Sequence, residues 1–304
     1  MSRIHDALKK AEEEKSALAG GVATTSEPDP AVEEARAVRP SLSGGNGSSM
    51  PAILRFNELK DKCPRAHWSL DTNANVFLDG SRFSLAAEQF RTLRSRLYQI
   101  REAKRLKTIL VTSGVSGEGK TFVVSNLAQS LVRQRDRRVL IIDGDLRAPR
   151  QHVCLGAPAT PGLADFLSGV ADLYSVIQFG PIENLCLIPG GSSKSAREPS
   201  DLLSGPEFKH LIDLVTPVFD WILIDSPPAV PVADAAMMAP LCDGVLVVAK
   251  ANATDVQLVQ KACIEFQEKN LLGVVLNRVD DIPGYENYAY GYGAHRNSSQ
   301  HLGE

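Results

Sequence analysis

A glycine-rich segment near the middle of the chain has the residue types and spacing of a phosphate-binding loop. Residues 114–121, GVSGEGKT, fit the pattern GxxxxGK[ST], follow a strand-like run at residues 108–112 and open a helical pattern. Glycines let consecutive backbone N–H groups turn toward phosphate oxygens, and the helix start adds positive potential. We expect Lys120 to reach the β- and γ-phosphates of ATP and the Thr121 hydroxyl to bind Mg²⁺. A chance glycine turn is the alternative, and both flanking elements argue against it.

Two further apolar runs end in aspartates. Residues 138–143 lead into Asp143 and Asp145, and residues 221–226 contain Asp225, which Ser-Pro-Pro follows. Ligands of open α/β sheets bind at the carboxyl ends of the strands. The i, i+2 spacing puts Asp143 and Asp145 on one side if their strand continues. Three carboxylates at such ends, beside a phosphate-binding loop, predict an Mg²⁺ site, although each one alone could be a helix cap or a loop carboxylate.

The elements that must position these residues follow an alternating pattern. Short, nearly continuous apolar runs typical of strands buried on both faces occur at residues 108–112, 138–143, 185–189, 221–226, 244–249 and 273–277. Helical patterns occur at residues 84–100, 120–134, 207–215, 233–241 and 254–269. Repeated βα units predict an α/β fold of the P-loop NTPase class, with a mostly parallel sheet flanked by helices on both faces.

The ends of the chain differ from this central part. Residues 1–15 carry an apolar stripe at helical spacing and predict a docking helix, with a fraying tail as the alternative. Residues 16–80 are expected to form a largely disordered linker, since much of this stretch is rich in Ala, Gly, Ser, Pro and Glu. The folded domain is predicted at residues 81–280, and a mobile tail at residues 281–304.

Composition excludes several classes of protein. The chain has 304 residues, a net charge of −3 and 43% hydrophobic residues, so bulk electrostatics do not favour a nucleic-acid partner. No run of 18 apolar residues and no secretory leader pattern is present, so we expect no membrane span. Five scattered cysteines without CxxC spacing argue against disulfides and zinc, and favour the cytoplasm.

The tail concentrates the tyrosines of the chain. Four of the six lie within eight residues, among glycines: Tyr285, Tyr288, Tyr290 and Tyr292. Glycines at this density disfavour a core strand. The segment therefore predicts either a set of phosphorylation sites or an adhesive tail without chemistry.

Taken together, these motifs resemble those of the bacterial tyrosine kinases of the capsular-polysaccharide type. The resemblance covers roughly residues 80–295 and includes the P-loop, the hhhhDxDxR and hhhDxPP runs, and an ExxRxxR helix formed by Glu88, Arg91 and Arg94. Arg197 and Glu198 depart from it, because the family often has Pro-Asn there. The opening residues Met-Ser-Arg-Ile resemble exosortase-associated tyrosine autokinases.

The resemblance implies a protein-tyrosine autokinase that phosphorylates its tail in trans. Lys120 would hold phosphates, Thr121, Asp145 and Asp225 would hold Mg²⁺, and Asp143 would accept the proton of the tyrosine hydroxyl. The residues expected to contact ATP are Gly114, Val115, Ser116, Gly117, Glu118, Gly119, Lys120, Thr121, Phe122 and Asn277. For Asn277, adenine contact and simple turn formation are both open.

The resemblance also implies partners. Glu88, Arg91 and Arg94 would form a subunit contact in a homo-oligomeric ring, with a solvated helix face as the alternative. A separate membrane-anchored polysaccharide co-polymerase would recruit the kinase to the inner face of the plasma membrane, activate it and so control exopolysaccharide chain length or export. Two rivals are a positioning or partitioning ATPase of the deviant-Walker type, which usually has Lys where Val115 stands, and a non-catalytic nucleotide-switched scaffold.

Overall fold

The computed structural model describes residues 54–78, 84–192, 197–268 and 270–279. The helix expected at residues 1–15 and the four tail tyrosines lie outside these residues. Within the described part of the chain, none of the helices combines the length and apolarity needed to cross a bilayer.

A seven-stranded sheet forms the centre of the domain. Its strands are β1 (Thr108–Ser113), β2 (Val139–Asp143), β3 (Gln178–Phe179), β4 (Leu185–Ile188), β5 (Trp221–Asp225), β6 (Gly244–Lys250) and β7 (Leu271–Asn277). They lie in the order β3-β4-β2-β5-β1-β6-β7, and every neighbouring pair is parallel except β3 and β4. The predicted mostly parallel α/β sheet is therefore confirmed.

Helices flank this sheet. They are α1 (Phe56–Lys62), α2 (Leu85–Ala103), α3 (Lys120–Val132), α4 (Gln151–Leu155), α5 (Leu163–Leu167), α6 (Leu173–Val176), α7 (Pro199–Ser204), α8 (Pro206–Val215), α9 (Asp234–Met238) and α10 (Val256–Phe266), with a 3₁₀ turn at Ala239–Leu241 after α9. The helices and strands expected between residues 84 and 277 are present to within three residues at either end. The sequence patterns miss β3 and α4 to α7, because elements of two to six residues are too short to show a period.

The alternation of side chains along the strands divides the core between the two faces of the sheet. In β1, Ile109 and Val111 join one cluster, whereas Leu110 joins the other. All three side chains are fully buried. Burial on both faces explains why the strands read as continuous apolar runs rather than as alternating ones.

The predicted linker over residues 16–80 is wrong in its last part, because residues 54–78 belong to the folded domain. Phe56 of α1 packs edge-on against Phe179 and Phe219, with ring centroids 5.8 and 5.7 Å away. Such aromatic pairs add about 0.5–1.5 kcal/mol each beyond the area that they bury. The domain boundary expected at residue 81 therefore lies too late in the sequence.

Residues 65–78 lie against α3 and α4 without regular structure of their own. Asn75 is fully buried; its Nδ2 donates to the Cys154 carbonyl at 3.0 Å, and its Oδ1 accepts from Gln129 Nε2 at 2.6 Å. The Asn126 amide bonds the backbone of the segment twice, both at 2.9 Å. Isolated side chains, including the polar Asn75 and the buried apolar Trp68, attach this segment without an apolar period, which is why its sequence resembles a linker.

Candidate nucleotide-binding site

The P-loop connects the carboxyl end of β1 to the start of α3. Gly117 and Gly119 adopt φ angles of +84° and +93°, a left-handed region that glycine enters without steric cost. A side chain at Gly119 would also collide with the Asn277 amide. Lys120 begins α3 and is 7% exposed. The backbone thus has the conformation that a phosphate-binding loop requires.

The buried Glu118 carboxylate braces the P-loop from within the protein. Its Oε2 accepts from the Val115 N–H at 3.2 Å, and its Oε1 accepts from the Thr254 hydroxyl at 2.6 Å. The Asn277 amide donates to the Glu118 carbonyl at 2.8 Å. Asn277 therefore lies against the P-loop, and a role in binding adenine stays a prediction. Thr254 was not expected at the site, since a lone threonine in a loop carries no motif.

Two of the three predicted aspartates lie side by side. Asp143 and Asp225 are opposite each other in the register of β2 and β5. The Thr121 hydroxyl donates to Asp225 Oδ2 at 2.7 Å. Among the described residues, one buried oxygen of each carboxylate, Asp143 Oδ1 and Asp225 Oδ1, has no hydrogen-bond partner. Asp225 Oδ1 and the Thr121 hydroxyl suit a hard cation such as Mg²⁺, and Asp143 lies beside them.

The electrostatics of this pair favour protonation when no cation is bound. Burial, with the neighbouring Asp225 charge, raises the pKa of Asp143 above its ordinary range. Burial also raises the pKa of Asp225 to about 6, although the Thr121 hydrogen bond and Lys120 oppose this shift. In the described residues no three His, Cys, Asp or Glu side chains form a ready-made metal cage. Mg²⁺ commonly combines one or two carboxylates with phosphate oxygens, so the arrangement fits the ion together with a nucleotide.

Asp145 lies beyond the end of β2, within electrostatic range of both other aspartates. Strand β2 ends at Asp143, so the condition for placing both aspartates on one side of a strand is not met. Asp145 Oδ1 accepts from the Ala148 N–H at 3.1 Å, as in a turn, and burial raises its pKa. Lys120 opposes that shift, which places Asp145 within the electrostatic range of the P-loop. Its role as a metal ligand stays a prediction.

Gln151, at the start of α4, is a site residue that no motif indicated. Its side-chain Nε2 donates to Asp225 Oδ2 at 3.0 Å and to the Thr121 carbonyl at 3.2 Å. The backbone N–H groups of Arg150 and Gln151 donate to Asp143 Oδ2 at 3.0 and 2.9 Å. The start of α4 thereby fixes one oxygen of each aspartate. Only the folded structure brings this helix start next to Asp143 and Asp225, so the sequence does not reveal the contact.

A second buried carboxylate fixes the turn after β2. Asp234 is fully buried and accepts from Arg147 Nε at 2.8 Å and Arg147 Nη2 at 3.1 Å. The Ser200 hydroxyl donates to the same carboxylate at 2.9 Å. Because Arg147 follows Asp145 by two residues, this ion pair joins the turn to the starts of α7 and α9.

The remaining predicted residues lie on or beside the first long helix. Glu88 and Arg91 form an exposed ion pair at 2.7 Å on α2, whereas Arg94 donates to the Ser130 carbonyl of the same chain at 2.7 Å. The Phe122 ring packs 5.9 Å from the ring of Phe90. Arg94 and Phe122 thus have intrachain structural contacts. The subunit contact and the nucleotide contact predicted for them stay predictions.

Comparison with known proteins identifies the class. Residues 109–291 match the family described as the CobQ/CobB/MinD/ParA nucleotide binding domain, and the chain belongs to this family. The tyrosine-protein kinase CpsD of Streptococcus agalactiae is 34% identical over 209 residues, which cover 67% of this chain and 89% of CpsD. Within the nucleotide-binding class, the chain is therefore a member of the bacterial tyrosine-protein kinase family, as the motifs predicted.

Two further relatives agree with this assignment. The tyrosine-protein kinase Wzc of Salmonella typhi is 33% identical over 214 residues, which cover 69% of this chain and 29% of Wzc. The kinase domain of the Escherichia coli tyrosine kinase ETK is 28% identical and superposes with a TM-score of 0.63, covering 67% of this chain and 80% of that domain. The chain thus spans less than a third of the length of Wzc.

Proposed function

We propose that this protein is an ATP- and Mg²⁺-dependent protein-tyrosine autokinase. The observation that carries the proposal is the pairing of Asp143 with Asp225 beside Thr121 of the P-loop, with one buried oxygen of each carboxylate free of hydrogen bonds. A phosphoryl-transfer site needs a phosphate cradle, a cation site and a proton acceptor close together. The rival interpretation as a positioning ATPase is not favoured, because Val115 stands where those proteins usually carry Lys and the named relatives are tyrosine kinases.

In this proposal the P-loop and Lys120 hold the phosphates, and Thr121, Asp225 and Asp145 hold Mg²⁺ directly or through water. The bound Mg²⁺ would neutralise charge on the phosphate oxygens. The protein's own task is mainly to position the reacting groups, since phosphoryl transfer requires little covalent assistance. The left-handed glycines and the Glu118 brace support this interpretation, because they hold the P-loop backbone in one conformation.

Asp143 is the proposed proton acceptor for the tyrosine hydroxyl. Two backbone N–H groups hold its Oδ2, which leaves Oδ1 as the free oxygen. The raised pKa of this carboxyl makes it a stronger base than an ordinary aspartate. Cation binding beside Asp225 would counteract the mutual repulsion and keep Asp143 ionised before the proton transfer.

The proposed substrates are the tail tyrosines of a neighbouring copy in a ring: Tyr285, Tyr288, Tyr290 and Tyr292. Asn277, the last residue of β7, contacts the P-loop, so the described part of the chain ends two residues after a contact with the nucleotide site. We further propose that a membrane-anchored polysaccharide co-polymerase recruits the protein to the cytoplasmic face of the membrane and activates it. The resulting phosphorylation would control exopolysaccharide chain length or export.

The deciding experiment combines purified protein with Mg-ATP, with and without cytoplasmic segments of candidate co-polymerases, and maps phosphotyrosine by mass spectrometry. We expect phosphate on the tail tyrosines, with a higher yield when the correct segment is present. Hydrolysis of ATP without any phosphotyrosine, in the presence of every candidate segment, would refute the kinase proposal and favour the ATPase interpretation.

A further inference from the structure

Gln151 contacts three residues at the proposed site, which are Asp143, Asp225 and Thr121. Its side chain is fully buried and donates to the Asp225 carboxylate and to the Thr121 carbonyl. Its backbone N–H donates to Asp143 Oδ2 at 2.9 Å. One residue at the start of a five-residue helix therefore connects the ends of β2 and β5 to the P-loop helix.

The second observation concerns buried acceptors. Gln151 Oε1 has no hydrogen-bond donor within the described structure, and the same is true of Asp143 Oδ1 and Asp225 Oδ1. A buried polar atom without a partner costs about 1–3 kcal/mol, so a folded protein seldom retains three of them in residues that adjoin one another. Acceptor oxygens of this kind are satisfied by a cation and its water.

We propose that Gln151 is a positioning residue for the metal of this site. Its side-chain amide donates to Asp225 Oδ2, which leaves Asp225 Oδ1 available to a cation, and its hydrogen bond to the Thr121 carbonyl would hold the threonine beside that oxygen. The inference rests on the proposed function only in taking Mg²⁺ with a nucleotide as the ligand. Groups that orient a metal ligand typically contribute about 10- to 100-fold to metal affinity.

The test substitutes Gln151→Met, which retains size and removes both polar atoms. The readout is the binding of a fluorescent ADP analogue to the full chain, first in EDTA and then against increasing Mg²⁺. We expect the affinity in EDTA to stay within about twofold of the wild type and the half-saturating Mg²⁺ concentration to rise at least about tenfold. An unchanged Mg²⁺ requirement overturns the proposal, as does an equal loss of affinity with and without Mg²⁺.

Gln178→Met is the matched control. Gln178 is also buried, and its Nε2 donates to the Pro158 carbonyl at 3.1 Å, away from the aspartates. We expect this control to leave the half-saturating Mg²⁺ concentration unchanged. If that concentration rises as much as in Gln151→Met, the effect comes from general packing and the proposal is overturned.

Gln151→Glu, of nearly the same size, keeps the inference testable if the methionine variant does not fold. A Glu carboxyl carries at most one proton, so it cannot donate both to Asp225 and to the Thr121 carbonyl as the Gln151 amide does, and positioning by the amide predicts weaker Mg²⁺ binding. Tighter Mg²⁺ binding, as expected from added negative charge alone, overturns the proposal. Because the readout is nucleotide binding, a lack of phosphotyrosine in the wild type would refute the proposed function and leave this test intact.

Discussion

Replacing Asp225 with Asn should make the protein without ligands more stable at neutral pH while it destroys the cation site. Burial raises the pKa of Asp225 from an ordinary 3.8 to about 6, so the folded state binds a proton that the unfolded state releases. For a carboxyl shifted in this direction, stability is greatest below the unfolded pKa and falls as the pH rises through the folded pKa. At about 1.4 kcal/mol per pKa unit, the cost of the ionised Asp225 reaches about 3 kcal/mol above pH 6.

Asn removes that cost because it is neutral. Its amide can still accept from Thr121 and Gln151, and the neighbouring Asp143 loses the like charge that helps to raise its pKa. The expected gain in the free energy of unfolding of Asp225→Asn is thus up to about 3 kcal/mol at pH 7.5 and close to zero near pH 4. Urea unfolding in EDTA, followed by circular dichroism at several pH values, measures this difference.

Asp234→Asn provides the matched control for this experiment. Asp234 is equally buried, but it is paired with Arg147 and Ser200, so the same substitution should destabilise the protein by leaving the arginine without its carboxylate. The proposed electrostatics predict that the free energy of unfolding rises in Asp225→Asn and falls in Asp234→Asn. If Asp225→Asn is less stable than the wild type at pH 7.5, or if its effect does not vary with pH, the assignment of Asp225 as an uncompensated buried charge is incorrect.

Three further predictions concern the proposed kinase. Lys120→Met should abolish autophosphorylation without changing the circular dichroism spectrum; persistence of phosphotyrosine would contradict the role of the P-loop. Arg91→Ala should convert the oligomer to monomers, as measured by light scattering, whereas Arg96→Ala on the same helix should not. If the two variants have the same mass, Arg91 is a solvent-exposed residue without a role in the subunit contact. Each phosphotyrosine adds a charge of about −1.5 to −2, so a tail with four of them should be repelled by the aspartates of the neighbouring site. We therefore expect Mg-ATP to release the tail and open the ring. Changing all four to Phe should keep the oligomer mass constant with Mg-ATP; disassembly of that variant would refute release by phosphate. The substituted residues would be Tyr285, Tyr288, Tyr290 and Tyr292.

The sequence predicts those parts of this protein in which a local pattern corresponds to a local structure. The central strands show as apolar runs because both of their faces are buried, and the P-loop shows because its glycines and Lys120 are adjacent in the chain. Adjacency of Asp143 and Asp225 also follows, since each ends a parallel strand. The fold class and the centre of the site are therefore accessible without coordinates.

The missed features depend on contacts between distant parts of the chain. Gln151 reaches Asp225 across 74 positions and Thr254 reaches Glu118 across 136, and neither residue has a local signature. The position of Asp145 relative to Asp143 depends on where β2 ends, which composition locates only to within one or two residues. The sequence of residues 65–78 resembles a linker because single side chains attach it, such as the Asn75 amide and the buried Trp68 ring, rather than a repeated apolar face.

Residues 65–78 give the site a thermodynamic connection to a part of the domain that precedes the first strand in the chain. Residues 65–78 bond to α3 and α4, the two helices that carry Thr121 and Gln151. If those contacts stabilise the arrangement that binds Mg²⁺ and nucleotide, thermodynamic linkage requires that bound nucleotide stabilise the contacts by the same free energy. Bound nucleotide then holds the segment in place. A partner that binds residues 65–78 and separates them from the domain would then lower the affinity for nucleotide. Dissociation of the nucleotide would in turn make these residues easier for the partner to bind.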